Sequence, residues 1–106
     1  MWESPDAQQK LLQIQDLLDQ VLNHTRLVMA RGTQADRVLA VGVGIETLLG
    51  INELYAIDDG FRSRTRVLAE RWSTISSDAD RADVNRMLTG VLMALERLVL
   101  LVRSPT

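Results

Sequence analysis

Residues 84–102 read VNRMLTGVLMALERLVLLV, from Val84 to Val102, and this is the most apolar run in the chain. Its apolar residues recur at helical rather than alternating spacing: Val84, Leu88, Val91, Leu95, Leu98 and Val102 step by four and three. Met87, Val91, Ala94, Leu98 and Leu101 form a second, overlapping row. Two rows make an apolar arc wider than a helix lying on a protein surface needs. Such a helix is either the centre of a bundle or shared between a core and a partner chain.

The bulk composition fits that frame. A chain of 106 residues is expected to form one domain around a single core, with residues 1–4 and 104–106 as loose tails. It is 46% hydrophobic and 25% charged, ordinary for a globular protein and far from a disordered one. The aromatics are Trp2, Tyr55, Phe61 and Trp72 alone, so the core must be built from Leu, Val, Ile and Met, which suits helix-on-helix packing. Cysteine is absent, which excludes disulfides and thiol chemistry and fits a reducing cytoplasm. The net charge of −2 is a near balance. The opening MWESPDAQQK lacks a basic start followed by an apolar core, so no secretory signal is expected. The terminal apolar run is broken by Glu96 and Arg97 and is too short to span a bilayer. A soluble, cytoplasmic protein is the expectation.

Read in order, the chain gives an all-α antiparallel bundle of three to four helices. Ser4-Pro5-Asp6 is a helix start, with Ser4 as N-cap and Pro5 in the first helical position. Leu11, Ile14, Leu18, Val21, Thr25 and Val28 then keep a three-four step until Gly32, predicting a long helix over 5–31. Leu12, Leu17 and Leu22 widen its apolar face. A second long helix is predicted over 34–58, carried by Val38, Val41, Ile45, Leu48 and Leu49. Its weak point is Val41-Gly42-Val43-Gly44, because glycine inside a helix costs roughly 1 kcal/mol relative to alanine. Those glycines are tolerable if another helix backbone crosses close by. Asp58-Asp59-Gly60 breaks or kinks this helix, and a shorter one follows over 61–75 with Phe61, Val67, Leu68, Trp72 and Ile75 as its apolar face. The sequence leaves open whether these two are continuous. Ser73 to Asp80 is a loop, and Ser77 or Asp78 is expected to cap the last helix, over 79–103.

No catalytic set is legible. The one histidine, His24, lies beside the Val21–Thr25–Val28 seam, where it reads as a boundary residue with its ring partly packed. No nucleophile elbow, Gly-rich phosphate loop or His-Glu-x-x-His is present. Asp58 and Asp59 are adjacent, so on a helix they diverge by about 100° rather than converge on a metal. Asp-Asp-Gly is turn chemistry first, and Asp58 can pair with Arg62 four residues on. No enzyme activity, metal or cofactor is therefore expected.

The most informative polar feature is a charge switch. From Asp36 to Asp59 there are five acids and one base, whereas Phe61 to Trp72 holds Arg62, Arg64, Arg66 and Arg71 against Glu70 alone. The basic segment either folds back on the acidic helix or meets an anionic partner. Arg62 and Arg66 share a helix face, while Arg64 points elsewhere.

A second pattern has a family likeness. Ala30-Arg31-Gly32-Thr33-Gln34-Ala35-Asp36, then Val41-Gly42-Val43, then Thr47-Leu48 and Ile51, resembles the helix-turn-helix of phage-repressor-type regulators. The resemblance covers Ala30 to Ile51 and implies a turn at Gly42-Val43 and a DNA-reading helix after it. Arg37 and Val38 stand where that family usually has a core Leu and a tightly packed Ala. The base-reading positions would be Gly44, Ile45, Glu46, Leu49 and Gly50, which offer no Arg, Asn or Gln to a base edge.

The reading that follows is a non-enzymatic protein acting by protein–protein interaction, as adaptors, chaperones and small inhibitors do. It is expected to be a homodimer, self-associating through Leu88, Val91, Leu95, Leu98 and Val102, with Arg62, Arg64, Arg66 and Arg71 meeting an unidentified protein partner. The alternative is a DNA-binding regulator using Thr33 to Ile51; nucleic acid is the less favoured partner, and no membrane is involved.

Overall fold

The computed structural model describes residues 5–55 and 59–103. They form four helices, α1 (Pro5–Arg31), α2 (Gln34–Tyr55), α3 (Asp59–Ile75) and α4 (Arg81–Arg103), with no strand among the described residues. The tails, Ser4 as a cap, the stretch 56–58 and the expected Asp58–Arg62 pair lie outside the described residues.

Local chemistry sets the helix ends. Gly32 closes α1 by donating its N–H to the Val28 carbonyl at 2.7 Å. Thr33 and Asp36 then open α2 reciprocally: the Thr33 N–H donates to Asp36 Oδ2 at 3.0 Å, and the Asp36 N–H donates to Thr33 Oγ1 at 3.2 Å. This is a capping box, which satisfies two backbone donors that the helix itself leaves open. The cap of α4 is Asp80, whose Oδ1 accepts from the Asp83 N–H at 2.8 Å, and neither Ser77 nor Asp78 takes that role. The reason lies in the end of α3. Ser76 and Asp78 donate their N–H groups to Trp72 O at 2.8 Å and Ile75 O at 3.1 Å, so residues 76–78 unwind α3 and α4 starts only after them.

The helices run up, down, up, down. α2 and α4 form the central pair, each touching all three other helices, whereas α1 and α3 flank that pair and do not touch each other. α2 and α3 pack side by side, so they are two helices of a hairpin and not one kinked helix. The chain is correspondingly flat, 47 × 27 × 17 Å.

Burial follows from this arrangement. α4 contributes Val84, Met87, Leu88, Val91, Leu95, Leu98 and Val102 to the core, facing Ala40, Val41, Ile45, Leu48 and Ile51 of α2. α1 adds Leu18, Leu22 and Val28, and α3 adds Phe61. Two threonines are buried among them, and each donates its hydroxyl to a carbonyl one turn back: Thr25 to Val21 at 2.7 Å and Thr65 to Phe61 at 2.9 Å. Three residues assigned to apolar faces by spacing stand exposed instead: Leu12, Leu17 and Val67. An outer helix of a flat bundle has neighbours on one side only, so its apolar arc is narrower than spacing alone suggests.

The glycines of α2 divide into two kinds. Gly44 is buried, and a Cβ there would overlap Cγ1 of Val91, so this glycine is what lets α2 and α4 meet so closely. Around Gly42 there is nothing within 4 Å of the same hypothetical atom. Gly44→Ala should therefore lower stability by about 1–3 kcal/mol through overpacking. Gly42→Ala should raise it by about 0.5–1 kcal/mol through helix propensity and a less flexible unfolded chain. Urea denaturation midpoints of the two variants should move in opposite directions.

The capping box also has a pH signature. The Thr33 backbone N–H, and after it the Thr33 hydroxyl contact, hold the Asp36 carboxyl below its ordinary value. A carboxyl with a lowered folded value stabilises the fold above its unfolded value and loses that effect as pH falls through the folded one. Asp36→Asn should accordingly melt at a lower temperature than the wild type at neutral pH, with the two melting temperatures converging in strong acid.

Candidate interaction groove

α3 is 17 residues long and lies along α4, which has 23. The two helices approach closely where Gly90 faces Leu68: a Cβ on Gly90 would sit 3.2 Å from Leu68 Cδ2. Beside this contact runs an open groove of about 620 Å³. Phe61, Thr65 and Leu68 of α3 and Ala94 of α4 line it, with Val67 and Met93 on the two sides and Arg64 and Arg97 at its rim. The Thr65 hydroxyl is donated inward to the Phe61 carbonyl, which leaves its methyl as the apolar end of that side chain. Val67 is 57% exposed and Met93 65%, so these apolar side chains are presented to solvent rather than used in the fold.

Helical geometry extends the same character along both walls. Arg71 stands seven residues beyond Arg64, and Arg86 and Leu100 stand seven before and seven after Met93, which puts each on the stripe of the residue it follows or precedes. Arg71 and Arg86 are exposed, and Leu100 is 60% exposed. Among the described residues none of Arg62, Arg64, Arg66 and Arg71 is ion-paired, and Arg97 is likewise unpaired. An ion pair between Arg26 and Glu96, at 3.3 Å, ties α1 to α4 and is about half exposed at both ends, where such a pair is worth little.

The four arginines singled out by sequence thus divide. Arg64 rims the groove, Arg71 and Arg66 are exposed, and Arg62 is half-buried with its Nε enclosed and without a hydrogen-bond partner. Among the described residues no acid of α2 pairs with them. The residues assigned to self-association are placed differently from expectation. Leu88, Val91, Leu95, Leu98 and Val102 all face the chain's own core, where α1, α2 and α3 cover the wide arc that spacing left open to a partner. Met93 and Leu100 are the large apolar side chains that α4 leaves exposed. His24 is exposed. Among the described residues no three His, Asp or Glu side chains gather as metal ligands would.

The turn implied by the repressor likeness is not formed. α2 is continuous from Gln34 to Tyr55, so Gly42-Val43 lies inside a helix. Two of the would-be base-reading residues, Gly44 and Ile45, are buried. Arg37, in the place of a core Leu, donates from Nη1 to Asn85 Oδ1 at 2.9 Å and from Nη2 to the Met29 carbonyl at 3.2 Å. It fastens the end of α1 and the starts of α2 and α4 together, and it borders a smaller polar cleft of about 450 Å³ with Thr33, Gln34 and Arg81.

No protein-family model, curated protein or solved structure matches the chain. Among the described residues no helix is long and apolar enough to cross a membrane.

Met93 and Arg97 are groove residues that the sequence does not single out as a site, and Val67, which spacing places on the core face, is a third. The signal was the seven-residue spacing of Arg86, Met93 and Leu100, which sets a mixed stripe on the side of α4 opposite its core. Replacing Val67 and Met93 by Gln should shift unfolding free energy by no more than about 0.5 kcal/mol, as for surface sites generally. Phe61→Ala, at the groove's buried floor, should cost about 3–5 kcal/mol. Chemical denaturation of the two variants checks that the walls, unlike the floor, are dispensable for folding.

Proposed function

We propose that this chain is a small non-enzymatic interaction protein, and that its α3–α4 groove holds an acidic amphipathic helix of a protein partner. The observation that carries the reading is an exposed apolar strip, Val67 and Met93, between arginines that form no ion pair among the described residues. Helix-in-groove recognition combines these two elements: apolar anchors at helical spacing enter the strip, and flanking carboxylates meet the rim. Arg64 and Arg97 suit carboxylates because the guanidinium fork binds them through two parallel hydrogen bonds. The lack of cysteine is consistent with work in a reducing cytoplasm.

Duplex DNA fits less well. Phosphates would satisfy the arginines but leave Val67, Met93 and Leu100 uncovered, and the exposed face of α2 carries Glu46 and Glu53.

The test is fluorescence anisotropy with two labelled probes, a helical peptide of leucine and glutamate at three-four spacing and a mixed-sequence DNA duplex. Each is titrated at low and at physiological salt, beside an Arg64→Ala/Arg97→Ala variant. The peptide should bind the wild type at physiological salt and lose roughly tenfold or more in affinity in the variant. A peptide that fails to bind, or binds both proteins equally, overturns the reading. Retained DNA binding at physiological salt, lost in the variant, would assign the arginines to a phosphate backbone instead.

A further inference from the structure

The surface on the other side of the central pair is complementary to this groove. Leu39, Val43, Glu46, Gly50 and Glu53 step along α2 by four, three, four and three, so they form one stripe. Leu48 is nine residues from Leu39, half a revolution around the helix, and is fully buried; the stripe therefore points away from the core. Leu39 is 68% exposed and Val43 45%, while Glu46 and Glu53 are exposed, and no cation lies on the stripe. One face of the flat chain is thus a ridge of apolar and acidic residues. The opposite face holds a groove of apolar residues and arginines.

Glycine adds an independent observation. Gly42 and Gly50 lie in the interior of α2 with nothing within 4 Å of where a Cβ would stand. Both weaken the helix, and neither is needed for packing inside the chain, in contrast to Gly44 against Val91. Their effect is to leave the outer side of α2 smooth, so that another helical surface can come close to its backbone.

On these grounds we infer that the groove of one copy takes the α2 ridge of a second copy, head to tail. This rests on the groove being a site for an acidic amphipathic helix, and it names that helix. Symmetry decides the form of the assembly. A two-fold dimer through the groove would set Arg64 and Arg97 against their own counterparts, and one through the ridge would do the same to Glu46 and Glu53. Only ridge against groove brings opposite charges together. A contact between two different patches does not close on itself after two copies, and it yields open chains or rings. The symmetric homodimer expected from the apolar content of α4 is thereby replaced by a directional contact.

Sedimentation velocity on the full chain tests this, using two variants whose changes all lie at exposed positions. Val67→Asp/Met93→Asp puts acid in the groove, and Leu39→Gln/Val43→Gln/Gly50→Gln removes the anchors and the smooth spot from the ridge. Circular dichroism melts confirm that both fold. Wild type should form species larger than a dimer as concentration rises, and less so in high salt. Each variant alone should be monomeric. Mixed one to one, the intact ridge of the first should enter the intact groove of the second, giving a heterodimer and nothing larger. A wild type that stays monomeric or stops at a dimer, a single variant that still assembles, or a mixture that stays monomeric overturns the inference. If the wild type stays monomeric while the leucine–glutamate peptide still binds it, the groove reading survives and only the identity of the occupant falls. If both fail, both fall.

Discussion

The contact between Gly44 of α2 and Val91 of α4 is the constraint on which the rest of the arrangement depends. A helix pair that approaches this closely must have a small residue at the crossing, because a Cβ would occupy the volume that the valine fills. Once α2 and α4 are that near, their facing sides are used up on each other. α1 and α3 can then only lie in the two furrows alongside the pair, too far apart to touch. The flat outline follows. So does the fact that α2 and α4 each keep one narrow outer stripe after contacting three neighbours.

Those stripes explain why the net charge is a poor guide to this surface. A value of −2 for the chain conceals a separation of sign between the two broad faces. Acids sit along the outer side of α2, and arginines with no ion pair among the described residues line the outer sides of α3 and α4. Charges of like sign gathered on one face repel each other and do little for folding, since exposed pairs are worth little even when they form. The capping acids Asp36 and Asp80 are a different case, because each is engaged by backbone N–H groups at a helix start and contributes locally.

Much of this was legible in the sequence, for a physical reason. A helix buried on one side must repeat its apolar residues at three-four spacing, so Val84, Leu88, Val91, Leu95, Leu98 and Val102 could be placed on one face, and all six are buried. Periodicity does not say what covers a face. It does not distinguish cover by α1, α2 and α3 from cover by a second copy, which is why the row of α4 reads equally well as a self-association face. For the same reason spacing places Leu12, Leu17 and Val67 on core faces, although all three are exposed. Nor could the pattern Val41-Gly42-Val43-Gly44 tell its two glycines apart. One has α4 where its Cβ would stand and the other has open space there, a difference of 200° around the helix that only packing reveals. The groove was hidden more deeply, since its walls come from helices whose contact is set by Gly90 and Leu68 across a loop.

What remains after the core is accounted for is a set of residues that folding does not require. Phe61, Thr65, Leu68, Ala69, Trp72 and Ile75 seat α3 against the core, yet Val67 and Met93 stand beside them exposed. Scattered exposed apolar residues are ordinary in a monomer and would mean little here by themselves. These two instead line one groove, between arginines that form no ion pair among the described residues, on a chain whose opposite face offers acids, apolar knobs and bare helix backbone. The apolar area is modest, so charge must supply much of the discrimination between occupants, while Val67 and Met93 exclude water from the contacts that the arginines make. Electrostatic complementarity of this kind fixes which surface docks and in which direction more than how tightly it holds.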